Sequence, residues 1–326
     1  MAVRPTPASR YGTQGWLGLM AIGAFLALAA FLVVRPDALG YDLQAYLDAA
    51  LRLRVGAPLY QPITQAGSFQ PGPGGLYLYA PPLAVAMLPV ADTAMLPLNL
   101  VWLAVHLAAL ATACLLLPVR GTLRLGTLAI KASTYPVLDD SRLGNISVLV
   151  LFLAAVTWRW LERPLGSVAL ALSISVRPTQ GVVILGWLLR SCWRPVLWTC
   201  LAGVVLIAVT LPIVGIDTYR AYLTMLRNIG DGQGVPYNYS LGAVTDQAGL
   251  SGFAGALQVV GYMVGIGAVL VSLRRDRETG FMVSIGASLL LSPLMWIHYL
   301  TPLPVPAALM AERGRRWPLL LLAPVS

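Results

Sequence analysis

Long apolar runs, separated by short polar segments, dominate the chain. A run of about 20 apolar residues is long enough to cross the hydrocarbon core of a bilayer as a helix. We predict spans at about 16–35, 95–118, 122–138, 145–160, 165–190, 195–215, 252–272, 280–296 and 299–311, and a last run begins at Pro318. The pattern predicts an all-α, polytopic transmembrane helical bundle of about 10 spans. Residues 1–326 would form a single domain, since no polar stretch is long enough to build a soluble core.

Two segments depart from the pattern of a simple span. The run 165–190 is too long for one span and carries Arg177-Pro178 at its middle. Proline breaks the hydrogen-bond ladder of a helix, and arginine is costly in lipid, so we predict two half-helices that meet there. The segment 76–91 is short and contains Pro81, Pro82 and Pro89. It predicts a re-entrant or interfacial element, whose backbone must be covered by protein or water.

The segment after the first predicted span has helical periodicity. Its apolar positions are Leu43, Tyr46, Leu47, Ala50, Leu51 and Leu53. The spacing predicts an amphipathic helix at the membrane surface, in the first outer loop. Asp42 would then occupy the N-cap of this helix, where aspartate is favoured. A general base is the alternative role, because partial burial raises the pKa of a carboxyl group.

Composition and charge support the membrane class and exclude a nucleic-acid partner. Hydrophobic residues make up 58% of the 326 positions and charged residues only 11%. In soluble domains, about 45–50% of residues are apolar and about 25% are charged. The net charge of +9 comes from basic residues in short clusters between the apolar runs, which is typical of positive-inside loops. The three cysteines lack metal-like spacing and there are only two histidines, so we predict no metal site and no cofactor.

The basic residues also predict an orientation. Most arginines fall on one face, which would be cytoplasmic: Arg4, Arg10, Arg120, Arg124, Arg159, Arg163, Arg190, Arg194, Arg274, Arg275, Arg277, Arg313, Arg315 and Arg316. The other face would hold 36–80, 139–144, the turn at Arg177, 216–251 and the turn around His298. These segments carry most of the aspartates, together with Tyr, Asn, Gly and Pro. The second face is therefore the predicted working surface.

Few side chains in the apolar runs carry chemistry. Arg177 is the most informative, since an intramembrane cation is a functional candidate and a guanidinium suits a phosphate. An ion pair inside the bundle is the alternative interpretation of Arg177. His298 is either a functional or a satisfied structural histidine. Asp139 and Asp140, just before Gly144-Asn145, are interpreted as solvated loop charges.

Tyrosines near an apolar boundary allow two interpretations. Tyr77 is interpreted as a residue of the interfacial aromatic belt, where tyrosine is enriched. Tyr79 precedes the double proline, and the second interpretation is that it lies on a stiff turn that lines a cavity.

Taken together, these positions resemble glycosyltransferase family 87. This membrane family of GT-C type includes polyprenyl-phosphate-mannose-dependent mannosyltransferases and related arabinofuranosyltransferases. The positions that carry the resemblance are Asp42, Tyr46, Gly56, Tyr60, Tyr79, Pro81-Pro82, Gly144-Asn145, Arg177-Pro178, Asn238, Ser240-Leu241, Ser292-Pro293, Trp296 and His298. The chain departs from the family pattern at Arg177, where lysine is common, and at Tyr299, where a second histidine is usual.

The resemblance implies a function and a set of roles. The chain would transfer a sugar from a polyprenyl-phosphate donor to a lipid or glycan acceptor, with inversion, on the outer face of a bacterial plasma membrane. Mannose is favoured, and arabinose is the alternative. Asp42 would be the general base, and Arg177 and His298 would bind the donor phosphate. The implied substrate pocket comprises Tyr46, Tyr60, Tyr79, Asn145, Asn238 and Trp296.

A transporter or flippase of a lipid-linked sugar is the alternative function. Broken helices and an intramembrane arginine fit a transporter equally well. A transporter predicts inverted repeats and polar groups on both faces, whereas a transferase concentrates carboxylates and aromatics on one face. The sequence favours the transferase. A purely structural subunit would leave Arg177 and Asp42 unexplained.

Overall fold

The structure, a computed structural model, describes residues 39–64, 75–117, 134–229, 235 and 237–314. Its α-helices are α1 Tyr41–Arg54, α2 Pro81–Met87, α3 Met95–Leu116, α4 Tyr135–Leu143, α5 Ser147–Arg159, α6 Pro164–Val176, α7 Pro178–Ser191, α8 Trp193–Val214, α9 Ile216–Asn228, α10 Leu241–Gln247, α11 Ser251–Ser272, α12 Arg277–Leu290 and α13 Pro304–Glu312. Short 3-10 helices occupy Pro62–Thr64, Leu88–Val90 and Ile297–Leu300. These ranges contain no strand, which confirms the predicted all-α class.

Three helices are long and apolar enough to cross a membrane. They are α3, α8 and α11, each of 22 residues, and they fall on the predicted runs 95–118, 195–215 and 252–272. A fourth span is present if α4 and α5, which meet at a bend of 117°, count as one. The described residues therefore hold three or four spans, fewer than the predicted total of about ten. The run 16–35, most of 122–138 and the last run lie outside the described residues.

The remaining predicted runs form helices that are shorter than a span. The helices α5 and α6 have 13 residues each, and α7 and α12 have 14 each. At 1.5 Å per residue, such helices extend about 20 Å, against the roughly 30 Å hydrocarbon core of a bilayer. A count of apolar residues overestimates helix length here, because apolar residues also fill the turns between helices.

The predicted break at Arg177-Pro178 is confirmed. α6 ends at Val176, and α7 begins at Pro178. Between them Arg177 has φ −139° and ψ 82°, outside the helical region. Pro178 occupies the first position of α7, where its missing N–H leaves no helical hydrogen bond unmade.

The predicted amphipathic helix is α1, and it packs against α2, which lies in the predicted interfacial segment. Leu43, Tyr46 and Leu47 are buried in this contact. The interpretation of Tyr77 as a belt residue is wrong, because its side chain is only 1% exposed. The hydroxyl of Tyr77 donates to the Ala80 carbonyl oxygen, at 2.7 Å.

Asp42 does not occupy the N-cap of α1, so that prediction is wrong. The helix begins at Tyr41, and its N-cap is Gly40, in the left-handed conformation with φ 76°. Asp42 lies in the first turn, and no side chain caps the helix. The carboxylate of Asp42 instead accepts a hydrogen bond from outside α1, from the side chain of Asn145.

Four helices run between the same two ends of the bundle. α5 begins at Ser147 and ends at Arg159, whereas α6 runs from Pro164 to the Arg177 junction, where α7 starts. α12 begins at the basic end, where Arg277 pairs with Glu162. Among the described residues, Arg159, Arg163 and Arg277 thus lie at one end of these helices, and the junction at Arg177 lies at the opposite end.

Candidate active site

Two glycines bring α1 and the turn between α4 and α5 into close contact. Gly144 has φ 67°, a conformation that side-chain-bearing residues rarely adopt. A Cβ atom at Gly144 would lie only 2.8 Å from the Cβ of Leu43. Gly40 donates its N–H to the carbonyl oxygen of Arg142, at 2.9 Å. This approach sets Asn145 beside Asp42.

A chain of hydrogen bonds connects the Asp42 carboxylate to the Arg177 guanidinium. Asn145 Nδ2 donates to Asp42 Oδ2 at 2.7 Å and to the Tyr79 hydroxyl at 3.1 Å. Asn145 Oδ1 accepts from Ser147 Oγ at 3.0 Å. Ser147 Oγ in turn accepts from Arg177 Nη2 at 2.6 Å. Residues more than 130 positions apart in the chain thus share one polar cluster.

Arg177 is held by two contacts and keeps one donor unused. Its side chain is only 6% exposed, and its Cζ lies 3.8 Å from the ring centroid of Tyr299. Ser147 takes one guanidinium nitrogen, Nη2. The other terminal nitrogen, Nη1, is buried without a hydrogen-bond partner among the described residues. A buried, unpaired guanidinium donor is costly, and an anionic oxygen of a ligand would satisfy it.

The carboxyl group of Asp42 has properties that suit a base. Burial raises its pKa, although attraction to His298 and the hydrogen bond from Asn145 act in the opposite direction. A raised pKa brings a carboxylate closer to the basicity that proton abstraction near neutral pH requires.

Tyrosines pack beside the carboxylate. The Tyr46 hydroxyl donates to the Tyr79 hydroxyl at 3.0 Å, and the two rings meet edge to face with centroids 5.0 Å apart. The Tyr60 hydroxyl donates to the Tyr79 carbonyl oxygen at 2.8 Å. The Tyr79 hydroxyl thus accepts from Tyr46 and from Asn145, and its own proton is donated to none of the described residues.

Asp139 and Asp140 are buried, so their interpretation as solvated loop charges is wrong. Asp140 is fully buried and accepts from the N–H groups of Ser147, at 3.0 Å, and Val148, at 2.9 Å. It thereby satisfies donors at the start of α5, which have no partner inside the helix. Asp139 accepts from Arg142 Nη2 at 2.8 Å and lies 3.6 Å from Nδ1 of His298.

His298 lies beside the polar cluster without a hydrogen bond to it. Its side chain is buried, and neither ring nitrogen has a hydrogen-bond partner among the described residues. Its Nδ1 lies 3.6 Å from Oδ2 of Asp139, which places the imidazole beside the carboxylates of the site. Trp296 stacks on the His298 ring with centroids 6.1 Å apart and remains partly exposed.

Asn238 braces two loops rather than joining the Asp42 cluster. It is completely buried. Its Oδ1 accepts from the N–H groups of Ser240, at 3.0 Å, and Met295, at 2.9 Å. Its Nδ2 donates to the Pro293 carbonyl oxygen at 3.1 Å. These contacts fix the segment that carries Trp296 and His298.

The predicted residues therefore divide into groups. Asp42, Tyr46, Tyr79, Asn145 and Arg177 form one hydrogen-bonded cluster, Tyr60 binds its edge, and His298 and Trp296 lie alongside. Sequence reasoning missed the contributions of Ser147, Asp139, Asp140 and Tyr299. Only Tyr299 carried a signal, as a departure from the family pattern next to His298.

Apolar helices that carry a carboxylate–guanidinium cluster at one end define a membrane protein with a polar site. A sequence profile of glycosyltransferase family 87 matches residues 77–293, about two thirds of the chain. The chain belongs to glycosyltransferase family 87, and this makes it a membrane glycosyltransferase. Searches of curated proteins and of solved structures found no match.

The matched residues contain only part of the site. Tyr79, Asn145, Arg177 and Asn238 lie within the match, whereas Asp42 lies before it and His298 after it. The hydrogen bond between Asn145 and Asp42 joins the outlying carboxylate to the matched part of the chain.

Proposed function

We propose that the chain transfers a sugar, with mannose favoured, from a polyprenyl-phosphate donor to a hydroxyl group of a lipid or glycan acceptor. The observation that carries the proposal is the hydrogen-bonded connection between the Asp42 carboxylate and the Arg177 guanidinium, through Asn145 and Ser147. Transfer from a phosphate leaving group needs a base for the acceptor and a fixed cation for the developing charge. This cluster supplies both.

The reaction is a single displacement at the anomeric carbon of the sugar. The acceptor oxygen attacks that carbon, and Asp42 takes the proton of the acceptor hydroxyl. The bond between the anomeric carbon and the phosphate oxygen breaks, and its electron pair stays on the phosphate. Attack opposite the leaving group inverts the configuration, which requires only one carboxylate as base.

The leaving phosphate is received by cations already in place. Arg177 has a buried donor, Nη1, that no described residue uses. The Tyr299 ring and Ser147 fix the guanidinium, so it needs little reorganisation when charge develops. His298 would be the second phosphate-binding group, since both of its ring nitrogens are buried without a hydrogen-bond partner among the described residues. Tyr46, Tyr60, Tyr79, Asn145 and Trp296 would shape the pocket, and Asn238 would hold its wall.

The location of the site supports a lipid-linked donor. Arginines gather at one end of α5, α6, α7 and α12, and the cluster lies at the other. Basic loops stay in the cytoplasm, so the site would face the non-cytoplasmic side of a bacterial plasma membrane. A polyprenyl tail would hold the donor phosphate at that boundary. The GT-C topology of about ten spans belongs to the same proposal.

Asp42→Asn tests the assigned base with a nearly isosteric change. We expect sugar transfer to fall by about 100-fold or more, because the amide cannot accept the proton. Purified protein is incubated with polyprenyl-phosphate mannose, or with the arabinose donor, and released polyprenyl phosphate is measured. Asp48→Asn is the matched control, since Asp48 lies on the same helix and bonds to Gln44 outside the cluster. Turnover of Asp42→Asn close to that of the control would overturn the assignment.

A further inference from the structure

A second polar site lies at the opposite end of the bundle, and the proposed reaction does not use it. A cavity of about 310 Å³ opens between the turn that joins α5 to α6 and the start of α12. Its lining includes two tryptophans, three arginines and one glutamate: Trp158, Trp160, Arg159, Arg163, Arg277 and Glu162.

The charges in this cavity are unbalanced. Glu162 pairs with Arg277, which accounts for one arginine. Arg159 and Arg163 have no carboxylate partner in the part of the chain that the structure describes. The guanidinium Cζ of Arg159 lies 5.8 Å from the ring centroid of Trp160, a cation–π contact that helps to hold it at the cavity. Two guanidinium groups therefore line the cavity without a counter-charge.

An apolar track leads away from the cavity along α6. This helix begins directly after Arg163 and exposes Leu165 by 52%, Val168 by 43% and Leu172 by 39%. Their spacing of three and four residues places them on one face of the helix. A cationic cavity followed by an apolar helix face matches the two parts of a phospholipid, a charged head and a hydrocarbon chain.

We propose that this cavity binds the phosphate headgroup of an anionic phospholipid, whose acyl chains lie along the exposed face of α6. Guanidinium groups bind phosphate oxygens with two parallel hydrogen bonds, and tryptophans favour the boundary between lipid and water. Free phosphate shares the charge but cannot use the apolar track. The site is independent of sugar transfer, because none of its residues belongs to the Asp42 cluster.

The test uses the full-length protein in neutral detergent, titrated at neutral pH. Phosphatidylglycerol, phosphatidylcholine with the same chains, and inorganic phosphate are added separately, and the midpoint of thermal unfolding is measured. A ligand that binds only the folded state raises this midpoint. We expect phosphatidylglycerol to raise it, and the other two compounds to leave it unchanged at the same concentration.

Paired variants separate the cavity from general charge at this end of the protein. The double variant Arg159→Gln, Arg163→Gln should weaken apparent affinity for phosphatidylglycerol by about 30-fold, from the usual contribution of two arginines near an anionic lipid. The control is Arg190→Gln with Arg194→Gln, two exposed arginines outside the cavity lining, and it should bind as the parent does. Equal shifts with phosphatidylcholine or inorganic phosphate, or equal weakening by both double variants, would overturn the proposal.

Discussion

Asn145 uses both ends of its side-chain amide within the site. Its NH₂ group donates to Asp42 and Tyr79, and its carbonyl oxygen accepts from Ser147. The amide of Asn145 bonds to the Asp42 carboxylate on one side and to the Ser147 hydroxyl, which binds Arg177, on the other. It therefore fixes the distance between Asp42 and Arg177. At the residue scale, the arrangement of carboxylate and guanidinium therefore depends on one neutral residue.

The raised pKa of Asp42 predicts how activity depends on pH. Below its pKa the carboxyl group holds a proton and cannot accept one from the acceptor, so activity must fall as pH falls. Burial raises this pKa, and the acidic limb of kcat/KM should therefore lie above the range of an ordinary aspartate, about 3.9. The measurement is kcat/KM against pH with the membrane composition held constant. A profile that stays flat down to pH of about 4 would contradict it.

The ring of Tyr299 should matter more than its hydroxyl. Arg177 lies over this ring at 3.8 Å, so the ring positions the guanidinium. Tyr299→Phe keeps the ring and should retain kcat/KM for the donor within about threefold. Tyr299→Leu removes the cation–π contact and should lower it by about tenfold. Steady-state kinetics with varied donor separate the two variants, and equal losses in both would exclude this role for the ring.

The chemistry of the site could be predicted where a residue was out of place in its surroundings. Arg177 in an apolar run required an explanation, and its position at a helix break and beside a carboxylate-linked cluster gives one. Asp140 could not be predicted, because its partners Ser147 and Val148 lie beyond a turn that resembles an exposed loop. Ser147 was missed for a similar reason, since a serine at a helix start is ordinary.

At the scale of secondary-structure elements, the close approach of α1 to the α4–α5 turn depends on Gly144. In Gly144→Ala, the alanine would have to adopt the left-handed conformation of Gly144, and its Cβ would lie 2.8 Å from the Cβ of Leu43. We expect the protein to lose about 1–2 kcal/mol of stability from the backbone alone, and transfer to fall because Asn145 moves from Asp42. Thermal unfolding and turnover are measured together.

Gly186→Ala is the matched control for this change. Gly186 lies inside α7, and nothing lies within 4 Å of a Cβ added there. Alanine is the better helix former, so this variant should be neutral or more stable by up to about 1 kcal/mol. If Gly144→Ala behaved as Gly186→Ala does, the glycine contact would not be needed to form the site.

The elements that the sequence predicted best are those with the simplest pattern. The helices α3, α8 and α11 match uninterrupted apolar runs, and α1 matches a clear helical period. The predicted run 280–296 was overestimated, since α12 ends at Leu290 and the apolar residues that follow belong to a turn. The length of such a helix depends on tertiary packing around the site, which hydropathy does not report.

At the scale of the whole molecule, the two ends differ in charge and in role. The site end carries the Asp42 cluster, and Asn238 bonds to Pro293 and Met295 in the segment that leads to His298. The basic end carries the pair between Arg277 and Glu162. The proposed orientation, with basic loops in the cytoplasm, predicts that the two ends face opposite sides of the membrane.

Thiol labelling tests this orientation. Tyr237 is 77% exposed at the site end, and Arg275 is exposed at the basic end. In a background where Cys114, Cys192 and Cys200 are replaced by alanine, we expect a membrane-impermeant maleimide to label Tyr237→Cys in intact bacterial cells. Arg275→Cys should react only after the membrane is permeabilised, which serves as the internal control. Labelling of both positions in intact cells would place both ends on one side of the membrane. The reverse order of labelling would place the site in the cytoplasm. The reverse order would exclude a donor presented from the outer face, and labelling of both positions would contradict the predicted cytoplasmic location of the basic end.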